Sequence, residues 1–431
     1  MRVRTGLVAL VALVLVAAVA CTHGAAKHTS SPATPTTAGD HTMHMGGGIT
    51  GGAAHASPEQ LRAQYDALLG QHTLVAIRVM RSLVSNSPGF GKAATSALQA
   101  NSDALTKLVT SSYGASLGEQ FKLLWQKHIT DLVSYAKAVA GHDDSAKGAA
   151  RGALSADAEA YGAWFAAASQ GRIHASDAVA GVRMHINDLT SQIDAYAARD
   201  YDTAYRIERE AYEHMFDAGT TFVKASVTPE LAVAFDAPPE RLRSAFSMLL
   251  GEHMELLTDA QRATFASPAE FKAASAQVDA NTVALAKGLG AIVGPKKAAE
   301  FQEDWANHVD GLISYTSAVA ANNGTAKSAA EKGLSVFAFK LALYFRGIVK
   351  NQLAVGPLAG AITMHDSHLT DQVDAYAAKD YDKAQQLELD GYDQMLGVAN
   401  TLVDSIQRTV SSTLPVGGVK TGGGGTARRP R

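Results

Sequence analysis

The sequence predicts an all-α protein of two homologous lobes, each built from about three repeated antiparallel helical hairpins. Three observations carry that prediction. Apolar positions recur every three or four residues, as in Leu68, His72, Val75, Val79 and Leu83, or Val182, His185, Leu189, Ile193 and Tyr196. Long segments return about 180 residues further along the chain. Breakers separate the periodic stretches at Ser87-Pro88-Gly89, Tyr113-Gly114, Gly141-His142-Asp143, Gly294-Pro295 and Gly356-Pro357, and no sustained strand-like alternation occurs.

Composition narrows the function classes. A chain of 431 residues with 47% hydrophobic and 18% charged residues can build more than one core and is no disordered polyelectrolyte. The net charge of -3, from 38 Lys plus Arg against 41 Asp plus Glu, argues against a nucleic-acid partner. A single cysteine excludes an intrachain disulfide framework, a thiolate metal cluster and a redox pair.

Residues 1–20 combine a basic start at Arg2 and Arg4 with an apolar run ending in small residues. That run is short of the roughly 20 apolar residues a stable span requires, so it reads as an export signal. The sequence VAAVAC resembles the bacterial lipoprotein signal. The resemblance implies lipidation of Cys21 and a lipid anchor on the outer face of the cytoplasmic membrane or cell envelope. Residues 21–56, rich in Ser, Thr, Pro, Gly and Ala, read as a disordered tether. Within it, His41, Met43, His44 and Met45 mix imidazole with thioether, and thioether sulfur favours cuprous copper.

The body of the chain is a duplication. LWQKHITDLVSYAKAVA around His128 returns as DWANHVDGLISYTSAVA around His308, and the segment led by His185 returns at His365, both 180 residues on. LLGQH at His72 returns as LLGEH at His253. These limits define a first lobe at 57–228, a linker at 229–237, a second lobe at 238–412 and a flexible Gly-rich tail at 413–431. Each lobe repeats again within itself, because His72, His128 and His185 stand 56 and 57 residues apart, and His253, His308 and His365 stand 55 and 57 apart. Each interval accommodates two bundle helices and their turns. Alanine-rich stretches such as 93–108 and 149–168 favour helix, and Asp143, Asp144, Asp200, Asn322 and Asn323 can start helices.

All six repeated histidines fall on apolar faces. A buried imidazole needs a partner, and candidates lie on the returning helix: Asn101 and Asp157 about 29 residues after His72 and His128, with Glu208 in the third unit and Asn281 and Glu388 in the second lobe. The candidate ligand sets are therefore His72, His128, His185, Glu208 and His214, and His253, His308, His365, His368 and Glu388. Nitrogen and oxygen donors of this kind suit copper, zinc or iron. The lobes differ, since Asp157 aligns with Phe337 and His214 with Gln394. Trp125, Trp305, Tyr135, Tyr315, Tyr196, Tyr376, Tyr201 and Tyr381 read as packing rings whose hydroxyls reach carboxylates or the surface.

The elements LQANSDALTKLVTSSYG, LGEQFKLLWQKHI, LSADAEAYGAWF and MHINDLTSQIDAYAARDYD resemble a family of exported helical proteins in Gram-positive and related bacteria. The resemblance covers about 57–412 and implies a repetitive all-helical lipoprotein with no assigned activity. No HExxH occurs, no GxSxG nucleophile elbow or phosphate-binding glycine loop stands in a strand-to-helix setting, and the paired Glu-x-x-His elements of di-iron proteins are absent. The expected function is an envelope-tethered protein that captures or buffers copper without turnover and serves a metal-transfer or other envelope partner. The alternatives are a helical interaction scaffold with packed histidines, or a metal-dependent redox enzyme.

Overall fold

The computed structural model describes residues 57–413, and within them every regular element is helical. The first six helices are α1 (Pro58–Val84), α2 (Pro88–Tyr113), α3 (Ala115–Ala140), α4 (Asp144–Ala168), α5 (Ala175–Ala197) and α6 (Tyr201–Ser226). A short helix α7 (Pro229–Ala232) and a 3-10 turn, Val233–Asp236, lead to the second six. These are α8 (Pro238–Ala266), α9 (Pro268–Val293), α10 (Pro295–Ala320), α11 (Gly324–Ile348), α12 (Val355–Ala377) and α13 (Tyr381–Thr413). No helix among the described residues is long and apolar enough to cross a membrane.

Local chemistry sets the ends. Ser57 and Gln60 form a reciprocal capping box ahead of Pro58. Asp143, Asp200, Ser267 and Asn323 each accept a backbone N–H in the first turn of the helix that follows. Gly114 and Gly294 stand at the same place in the two lobes, and each is a one-residue turn between helices at φ +86°, a conformation a side chain would strain. Gly356-Pro357, expected as a turn, lies inside the first turn of α12; the break falls earlier, where Lys350 and Asn351 take positive φ.

Within each lobe, consecutive helices pack as antiparallel neighbours and the sixth returns to the first, closing a ring. The odd helices α1, α3 and α5 run in one direction and also touch one another across the middle; α8, α10 and α12 repeat the arrangement. Three hairpins thus surround one axis in each lobe. Helices α2, α4 and α6, and in the second lobe α9, α11 and α13, sit between them at the periphery.

The lobes join reciprocally. Helix α6 packs on α9, α13 packs on α2, and α1 meets α8, the pattern expected of two equivalent surfaces related by a two-fold axis. On that axis the hydroxyls of Tyr212 and Tyr392, equivalent residues 180 apart, hydrogen-bond at 2.9 Å. Gly70 and Gly251 make this approach possible. A Cβ on Gly70 would stand 2.5 Å from the Tyr392 hydroxyl, and one on Gly251 would stand 2.5 Å from that of Tyr212.

Candidate metal centre

Helices α1, α3 and α5 of the first lobe and α8, α10 and α12 of the second each carry one repeated histidine at mid-length. Ring closure brings His72, His128 and His185 together on the axis of the first lobe, and His253, His308 and His365 together in the second. In each group one nitrogen per residue lies within 4.8 Å of the others. Ring centres are 5.6–6.0 Å apart in the first cluster and 5.5–5.8 Å apart in the second. An ion held by three imidazoles at about 2.0–2.1 Å would place ring centres roughly 5.2–5.5 Å apart. Ring centres in both clusters stand within about half an ångström of that spacing, and ring rotation would have to bring the nitrogens, now within 4.8 Å, to the roughly 3.3–3.6 Å that such an ion sets.

All six rings are buried. Burial is the first cause that lowers their basicity, with neighbouring imidazoles adding to it at His72 and His253 and Lys127 adding to it at His128. His128 falls to about 4, and His185 and His365 to about 3. The rings are neutral at pH 7, the form in which imidazole offers a lone pair. Both nitrogens of His72, His185, His308 and His365 lack a hydrogen-bond partner, as do Nδ1 of His128 and Nε2 of His253. Buried polar atoms normally find partners, and an unmet one costs about 1–3 kcal/mol.

The expected return-helix partners turn elsewhere. Asn101 donates to Leu68 O and Gln71, and Asp157 accepts from Lys127. Asn281 donates to Leu249 O and Glu252, with a weak opposing pull on the basicity of His253. Glu208 and Glu388, expected as ligands, belong to neither cluster and lie between the lobes. His214 is bonded to Asp188 at 2.7 Å, and that bond raises its pKa; His368 Nδ1 lies 3.1 Å from Leu387 O. Glu208, His214 and Glu388 sit on α6 and α13, which lie outside the ring of axis helices and face whatever packs beside them, while His368 shares α12 with His365 but stands three residues on and turns to α13. The remaining sequence candidates, Cys21, His41, Met43, His44 and Met45, lie outside the described residues.

Sequence reasoning missed the network that claims those two glutamates. Arg78 on α1 pairs with Glu255, Asp259 and Glu388; Arg81 pairs with Glu208 and Asp259; Arg262 pairs with Glu388. All seven residues are buried. Four carboxylates face three guanidinium groups. Burial pushes Glu208 up to about 8 despite Arg81, so it retains a proton, and pushes Glu255 upward despite Arg78. Burial alone would raise Asp259 as well, but Arg81, Arg78 and Arg262 together hold it down. The sequence did carry a signal: Arg78 and Asp259 are equivalent positions of opposite charge inside apolar runs, an arrangement that lets duplicated helices pair across a two-fold axis.

The clusters are not twins. In the first lobe Trp125 lies 4.3 Å from His72, and its indole N–H donates to Ser102. In the second, Trp305 donates at 3.3 Å to His253 Nδ1. That bond places the proton of a neutral His253 on Nε2. Phe337, in place of Asp157, stacks on His308 at 4.3 Å between ring centres. A buried carboxylate enters from a different helix, for Asp366 lies 3.6 Å from His308 Nδ1 where the first lobe has Ile186. Burial keeps Asp366 well above the ordinary carboxylate range.

Compared with known proteins, the chain matches no family model, no curated protein and no solved structure.

Proposed function

We propose that this protein captures or buffers copper at the cell envelope without turnover, holding the ion in a three-histidine cluster, foremost that of His72, His128 and His185. One observation carries the reading: six buried, neutral imidazoles converge three by three on two axes with most of their nitrogens unpartnered. A packing role alone would leave those groups uncompensated. A bound ion would satisfy one nitrogen of each ring. Imidazole accepts copper, zinc or iron, and the His41, Met43, His44 and Met45 tether tilts the choice towards copper as an outer collector. Lipidation at Cys21 would keep the mature chain at the membrane surface, beside a metal-transfer partner.

The second cluster supports a different reading of itself. Its Trp305 bond and Phe337 stack give the rings packing partners, which favours a scaffold role there and weaker binding.

The test is metal analysis and copper titration of the mature chain, with zinc and iron for comparison, repeated after deletion of residues 22–56. The expected result is at least one tight equivalent that survives the deletion and disappears in His128→Asn. A helical body that binds none of the three metals above a variant lacking all six cluster histidines sinks the reading and leaves the scaffold in its place.

A further inference from the structure

The second lobe holds a cavity against its histidine layer. It has a volume of about 30 Å³ and lies against His308 and His365, walled chiefly by Leu285, Leu289, Leu341, Phe345, Met395 and Leu402. All of these side chains are buried. One water needs roughly 10–15 Å³ and two to four polar partners. The space is thus large enough for a diatomic molecule, while its wall is carbon except at the edges of the two imidazoles and the neighbouring indole.

Ring-to-leucine changes remove volume on this side of the layer, although Leu358, Ile362 and Val398 stand where the first lobe has the smaller Ala178, Val182 and Ala218. Leu341 stands where the first lobe has Tyr161, and Leu402 stands where it has Phe222. In the first lobe Tyr161 lies 6.2 Å from His128 between ring centres. Phe222 packs there on Tyr65, Phe121, Trp164 and Phe165. Rings therefore occupy the side of the histidine layer that is open in the second lobe. Replacing two rings with leucines on a common backbone removes volume that a close-packed interior cannot fully recover.

We infer that the second lobe takes up a small uncharged apolar molecule, of the size of a diatomic gas, in this cavity and presents it to the face of His308 and His365. The inference rests on the cavity and its wall and does not depend on metal binding. Dry apolar cavities of this type accept xenon, which serves as the probe.

The experiment is xenon titration of the metal-free mature chain, followed by methyl NMR and by crystals under xenon pressure. The expected result is one saturable site that shifts the methyl resonances of Leu285, Leu289 and Leu358. It should be lost in Leu341→Phe and independently in Leu402→Phe, the latter installing the ring the first lobe carries. Both variants should keep the cooperative thermal melt of the parent, and either one suffices if the other fails to fold. Absence of a saturable shift, ordered water in place of xenon, or xenon binding unchanged in a folded filling variant would each overturn the inference. Copper titration is a separate measurement, so failure here is distinct from failure of the metal reading.

Discussion

The two histidine layers share one geometry and differ in their surroundings. In the first lobe the layer splits the apolar core in two. Leu61, Tyr65, Phe121, Trp164 and Phe222 lie on one side, and Ile77, Met80, Leu132, Leu154, Leu189 and Ile193 on the other. In the second lobe the apolar contacts run past the layer without a break, because Phe337 stacks on His308 and Trp305 turns to His253. The lesson is that duplication preserved the placement of three imidazoles on an axis while their second partners diverged. Placement follows from helix packing; availability of the nitrogens follows from single substitutions beside them.

The largest expected effect tests what the lobes hold in common. Arg78→Met removes the cation between Glu255 and Glu388 and leaves buried charge unpaired, so unfolding in urea should show a loss of about 3–5 kcal/mol. An unchanged midpoint would mean that the lobes are joined chiefly by apolar contact. Next comes the two-fold axis. Gly70→Ala drives a methyl into the Tyr392 hydroxyl and should cost about 1–3 kcal/mol, with partial recovery on adding Tyr392→Phe. Gly251→Ala with Tyr212→Phe should behave alike, and a marked inequality between the pairs would break the symmetry argument.

A smaller effect sharpens the contrast between the clusters. Trp305→Phe frees His253 Nδ1 from a hydrogen bond worth about 1 kcal/mol, so copper affinity of the second cluster should rise roughly fivefold, whereas Trp125→Phe should leave the first nearly unchanged. Equal responses would show that the tryptophan bond does not set the difference.

The smallest effect concerns the proton held between the lobes. The pKa of Glu208 is pushed from 4.5 up to about 8 by burial, so the folded chain binds more protons there than the unfolded chain between those values. Stability from this group is full below pH 4.5 and is lost as pH rises through 8. Glu208→Gln mimics the protonated acid and should flatten that decline, with a change of less than about 1 kcal/mol at pH 5. Denaturant midpoints across pH 5 to 9 would reveal it, and an identical slope in parent and variant would show that the proton resides elsewhere.

Much of the fold was legible because its signals are local. The period of Leu68, His72, Val75 and Val79 marks a helix and its buried face, and Asp143, Asp200 and Asn323 cap the helices they precede. Tyr135 and Tyr315 reach Asp194 and Asp374, as rings at equivalent wedges should. The wrong ligands were chosen where sequence distance stood in for space. Glu208 and Glu388 sit on the return helices after His185 and His365, yet those helices turn that face to the other lobe. Asp366 follows His365 directly in the sequence, and only the approach of His308 to 3.6 Å shows what its buried carboxylate meets.

By itself the sequence determined the helices, their turns, the duplication and the inward side of each repeated histidine, since these depend on backbone preference and on contacts within a few residues. The tertiary structure alone decided that three such histidines meet on one axis. It also decided that Arg78, Arg81 and Arg262 are drawn into a buried network, and that the second lobe keeps a cavity against its histidine layer. Those outcomes depend on ring closure and on the two-fold approach of the lobes, which bring together side chains from about 50 to 310 residues apart, and periodicity carries no record of distance between helices.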